Sequence, residues 1–124
     1  MVTTAPRLIL QPGAPDFLDL PWDLPVDDWA HHRLVQMPTG IHRHPVVFVA
    51  YEQGVFAVKE LPRRLGINEF EVLDRLQHRT LRSARPAALV TREWLEPESE
   101  QSSAVITRFV PHAFPVRNLV GGEW

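Results

Sequence analysis

Two runs of β-favouring apolar residues, Pro45 to Tyr51 and Val55 to Leu61, are separated only by Glu52-Gln53-Gly54. Valine, phenylalanine and tyrosine at this density suit a pleated, half-buried surface, and so short a connection joins antiparallel neighbours. Glycine suits the end of a three-residue hairpin loop, because the last loop residue takes a positive φ. With that loop, Tyr51 opposes Val55, Val49 opposes Ala57 and Val47 opposes Lys59, and opposed residues share a face. One face then carries Val47, Val49, Ala57 and Lys59, and the other Phe48, Ala50, Phe56 and Val58. Both faces are largely apolar, so each needs a cover from elsewhere in the chain.

The flanking segments supply covers and further strands. A helix is expected from Pro62 to about Arg79, with proline in its first turn and Ile67, Phe70, Leu73 and Leu76 at helical spacing. Gly66 weakens that helix, and Asn68 with Glu71 offers a capping box that would start it later. Leu8 to Asp28 is rich in proline and aspartate and carries Phe17, Leu18, Leu20, Trp22 and Leu24. It reads as an extended arm laid over the sheet, with a helical turn at Asp27 to Ala30. Arg33 to Met37, Ala87 to Thr91 and Ser103 to Phe109 read as further strands, with Trp94 a strand residue and the polar segment 96–102 a turn. The expected fold is α+β, a mostly antiparallel sheet of about five strands with one main helix. Residues 1–32 form the arm, and 33–124 form the lobe on which it packs.

Composition narrows the function classes. The chain has 124 residues, a formal net charge of -2 and a pI near 6.3. That gives no basic footprint for nucleic acid. The pairs Arg63-Arg64 and Arg82 to Arg85 are expected to be solvated helix ends. There is no cysteine, which excludes disulfides and thiolate catalysis. No apolar run is long enough for a membrane span, and the expected location is cytoplasmic. His31-His32 are expected to point apart on the surface. His42 and His44 lack a third ligand, so no metal site is expected.

Lys59 carries the most chemistry. An ammonium group at the edge of an apolar face needs an anionic partner, and the following helix offers Glu69 and Glu71. Phe56-Ala57-Val58-Lys59 also fits the V-A-I-K pattern, in which the lysine holds nucleotide phosphates and pairs with a helix glutamate. A purely structural ion pair is the competing reading of the same residues.

From Gly13 to Val120 the chain resembles an actinobacterial kinase-like family, the "lipopolysaccharide kinase" proteins grouped under a domain of unknown function. The resemblance rests on P-G-A-P-D-F-L-D-L-P-W-D-L-P, R-L-V with a G-x-x-R-H loop, V-x-F-V-x-Y, A-V-K-E-L-P-x-R-L, E-F-x-x-L-x-x-L and V-I-T-R-F-V in that order. It implies a kinase N-lobe that binds ATP with Mg²⁺, with Lys59 on the phosphates and Glu69 as its partner. Ala57, Val47 and Val49 would form the floor of the site. Gly40 to His44 would be the phosphate-covering loop, and Phe109 to Phe114 the hinge at the adenine. The G-x-G-x-x-G pattern is reduced to Gly40, which leaves Arg43 as a possible phosphate contact. No H-R-D or D-F-G occurs, and the last aspartate is Asp74. The acids that position the acceptor hydroxyl and hold Mg²⁺ are therefore not among these residues. The resemblance thus implies a lobe without catalytic residues of its own, inactive unless a catalytic lobe completes it. The alternative is an interaction or oligomerisation module that uses the cleft face for a partner or a second copy.

Overall fold

The computed structural model describes residues 5–37, 43–77 and 85–109. Six strands form one sheet: β1 (Arg7–Leu10), β2 (Leu34–Val35), β3 (Val46–Tyr51), β4 (Gly54–Leu61), β5 (Arg85–Thr91) and β6 (Ser103–Arg108). Their spatial order is β1-β5-β6-β4-β3-β2, and every pairing is antiparallel. The α+β class is as expected, with six strands in place of five. The added strand is the start of the arm: Arg7 to Leu10 pairs with Thr91 to Ala88 and extends the sheet beyond β5.

The hairpin forms with a different register. Tyr51 pairs with Gly54, Phe48 with Ala57, Val47 with Val58 and Val46 with Lys59. The loop is two residues, Glu52-Gln53, and Gly54 enters β4 at φ 135°. A one-residue slip exchanges the faces of one strand relative to its neighbour. Val47 and Val49 therefore leave the Lys59 face, where sequence reasoning put them, and Val46, Phe48, Ala50 and Val55 take their place beside Ala57 and Lys59.

Val47, Val49, Phe56 and Val58 instead face the arm, together with Ala104, Ile106, Ala88 and Val90. Phe17, Leu20, Trp22, Val26 and Trp29 close over them as the main core. The short 3-10 helix η1 (Val26–Asp28) is the expected helical turn, begun one residue early. The indole N–H groups of Trp22 and Trp29 donate to the Phe17 and Leu24 carbonyls, at 2.8 and 3.0 Å, so each buried ring keeps its polar atom satisfied.

The single α-helix among the described residues, α1 (Arg63–Gln77), lies on the opposite face. Phe70 and Leu73 pack on Leu61, Leu89 and Val105. The helix runs through Asn68, so the capping box does not form; the Arg63 amide donates instead to Ser102 Oγ (2.8 Å) and the Pro97 carbonyl (3.1 Å). Arg63 is no solvated helix end. Its Nη2 donates to the carbonyls of Arg92 and Leu95 and pins the 92–102 connection, in which Trp94 sits in a turn rather than a strand.

Gly66 lies where α1 packs directly on Ser103 of β6. A Cβ there would lie 2.2 Å from Ser103 Oγ and 3.2 Å from Ser103 Cβ. That hydroxyl is itself committed to the Leu61 carbonyl at 2.8 Å. Gly66→Ala is expected to cost about 1–3 kcal/mol by overpacking, against the ~1 kcal/mol alanine offers a helix. Urea unfolding measures this, and adding Ser103→Gly should recover part of the loss, since contacting residues are non-additive.

Candidate functional site

The arm closes one face of the sheet, and α1 covers β5, β6 and the end of β4 on the other. Among the described residues, that leaves the β3–β4 part of the second face open. Its residues are Val46, Phe48, Ala50, Val55, Ala57 and Lys59, all partly exposed. Lys59 lies between Val46 on β3 and Val105 on β6, and its ammonium meets Glu69 of α1 at 2.7 Å. The two side chains are 33% and 31% exposed. A pair this wet contributes little to stability, within about 1 kcal/mol. The partner is Glu69; Glu71 is exposed on another side of the helix.

Phe109 completes the face. Its amide donates to the Val55 carbonyl at 2.8 Å, and its ring meets Phe48 edge-on at 5.8 Å. Lys59, Glu69, Ala57 and Phe109 are thus assembled on one surface, with Phe48 at the position foreseen for Val47 and Val49. Arg43 is exposed at the start of its segment, followed by His44, whose buried Nδ1 has no partner. Gly40, His42 and the residues after Phe109 that were expected to form a hinge lie outside the described residues. Along α1, Leu65 (44% exposed) and Val72 (36% exposed) stand one turn before and after Glu69, an apolar rim on the same stripe.

Two polar clusters escaped sequence reasoning. Glu60 is 2% exposed on the arm side, and Arg92 Nη1 meets it at 2.5 Å. Arg92 also donates to the carbonyls of Trp22, Leu24 and Gln101, while the Val26 amide donates to Glu60. The signal was present in strand alternation, which puts Glu60 on the same face as Phe56 and Val58, where a charge requires a partner.

The second cluster clasps the arm to the hairpin. The Asp19 carboxylate accepts from the Tyr51 hydroxyl (2.6 Å) and from Arg33 Nε, and the Arg33 guanidinium lies over the Tyr51 ring at 3.9 Å. His31 donates from Nε2 to the Asp19 carbonyl and accepts the Arg33 amide at Nδ1, and its ring stacks on His32 at 4.4 Å rather than pointing away. Ligand atoms of Asp19, His31 and His32 lie within 4.8 Å of one another. With the carboxylate and both His31 nitrogens already engaged, the cluster acts as a structural clasp.

The clasp has a pH signature. Burial pushes the Asp19 carboxyl up, but the Tyr51 hydroxyl and Arg33 outweigh it and hold the group below its ordinary value. A depressed carboxyl contributes stability above its unfolded pKa and loses it as pH falls through the folded one. Burial, then the bond to Asp19, push the Tyr51 hydroxyl up. Its contribution is complete below the unfolded value near 10 and is lost as pH rises beyond it. Thermal unfolding across pH should show both losses, and Asp19→Asn should flatten the acid limb below about pH 4.

No helix among the described residues is long and apolar enough to cross a membrane. No family model, curated protein or solved structure matches this chain.

Proposed function

We propose that the Lys59 face is the nucleotide-binding surface of a kinase-like lobe, which a catalytic lobe must complete before phosphoryl transfer occurs. The observation that carries this reading is the water-accessible Lys59–Glu69 pair at 2.7 Å, beside the apolar patch of Ala57, Phe48 and Phe109. After the arm's β1, strands β2, β3 and β4, then α1, then β5 and β6 follow in order, with lysine on β4 and glutamate on α1, and this order supports it. In this role Lys59 is a point charge for the α- and β-phosphates of ATP, and Glu69 holds the ammonium in place between binding events. Mg²⁺ would be held by acids of the completing lobe, since the motif acids are missing from these residues.

Mg-ATP should raise the melting temperature of the wild-type protein in a saturable way. Lys59→Ala should abolish the rise while lowering ligand-free stability by about 1 kcal/mol or less. A rise that survives Lys59→Ala would sink the reading.

A second reading has its own support in the apolar rim of Leu65 and Val72 beside a sheet face that no described residue covers. Here the same face binds a partner protein or a second copy and no nucleotide. Its mark is a concentration-dependent dimer by analytical ultracentrifugation, with no thermal response to Mg-ATP.

A further inference from the structure

β4 lies between β3 and β6, so two strand spacings of about 4.8 Å each separate the backbones that carry Phe48 and Phe109. Their ring centroids are nevertheless 5.8 Å apart with planes at 81°. The rings therefore lean toward one another across β4. Phe48 is directly opposite Ala57, and Phe109 is bonded through its amide to Val55. The ring pair bridges the Ala57–Val55 row, the small-residue strip beside Lys59 on which a planar ring would lie.

Resting on the nucleotide reading above, we propose that Phe48 and Phe109 form an aromatic gate that occupies the base position of the Lys59 site. Phosphate reaches Lys59 without disturbing the rings, whereas a base reaches Ala57 only after the edge-to-face pair is broken. The chain therefore discriminates against the base end of a nucleotide and leaves the phosphate end open. An edge-to-face pair is weak enough to open by side-chain rotation, and its loss corresponds to about a two- to tenfold change in affinity. A catalytic or partner lobe that displaced Phe48 would switch the site to full nucleotide binding.

The test titrates the full chain with two probes, Mg-ATP and Mg-tripolyphosphate, followed by amide NMR in wild type, Phe48→Val and Phe109→Leu. Phe48→Val should tighten Mg-ATP about two- to tenfold and leave tripolyphosphate unchanged. Phe109→Leu removes the other ring outside the hairpin and should do the same, so the test holds if the β3 variant fails to fold. Equal or weaker Mg-ATP binding in the folded variants, with tripolyphosphate still binding, overturns the gate and leaves the Lys59 site standing. If neither probe binds wild type or either variant, the Lys59 reading itself fails and the gate falls with it.

Discussion

Arg92→Ala should be the most damaging single change to this protein, lowering stability by about 3–5 kcal/mol. The substitution leaves the Glu60 carboxylate, 2% exposed, without its cation on the arm side of the sheet. It also strips donors from the carbonyls of Trp22, Leu24 and Gln101. Those carbonyls belong to the arm and to the β5–β6 connection, so one guanidinium ties two distant segments to β4. In a chain of this size the loss corresponds to a fall in melting temperature on the order of 10–20 °C. Replacing both partners, Glu60→Gln with Arg92→Met, should cost less than Arg92→Ala alone, because no unpaired buried charge remains. Calorimetry on Glu60→Gln, Arg92→Met and their double variant, beside Arg92→Ala, measures this directly. Additive costs would show that burial of the unpaired charge is not what matters.

The second large effect lies at Phe17, which is fully buried in the arm at φ 57°. A bulky residue in the left-handed region carries about 1–3 kcal/mol of strain, and such strain persists only where the surroundings over-determine it. Here the ring is held edge-on by Tyr51 and by Phe56, each at 5.3 Å. Its carbonyl accepts the Trp22 indole and the Leu20 amide. Phe17→Ala should therefore cost about 3–5 kcal/mol through the cavity. Phe17→Gly makes a similar cavity but removes the backbone strain, so it should be the more stable of the two by about 1 kcal/mol. Denaturant midpoints of both variants check the order; alanine above glycine would show that the backbone is relaxed there.

The elements legible in the sequence are those whose determining interactions are local. The hairpin strands are written in their composition, and α1 in the spacing of Phe70 and Leu73. Lys59 and Glu69 met because both sit in elements legible on their own. The register was not legible, because a positive φ at Gly54 fits a two-residue loop as well as a three-residue one. That ambiguity of one residue moved Val47 and Val49 to the core side and brought Phe48 to the site. Gly66 looked like a weakness because propensity sees only the helix; its reason is Ser103, on a strand far along the chain. Arg7 to Leu10 read as part of the arm because a strand this short is defined by its partner β5, not by its own pattern. Glu60 is buried by the same strand alternation that exposes its neighbour Lys59, and its partner Arg92 lies 32 residues along the chain.

The Lys59 face can be tested with one labelled residue type. Ala57 and Ala50 lie on that face, while Ala87, Ala88 and Ala104 are buried with the arm. In protein carrying ¹³C-methyl alanine, titration with Mg-ATP should shift the Ala57 methyl saturably, leave the buried alanines in place, and have no effect in Lys59→Ala. An Ala57 methyl silent at millimolar Mg-ATP in both wild type and Phe48→Val, or a shift that persists in Lys59→Ala, would contradict a nucleotide site at Lys59.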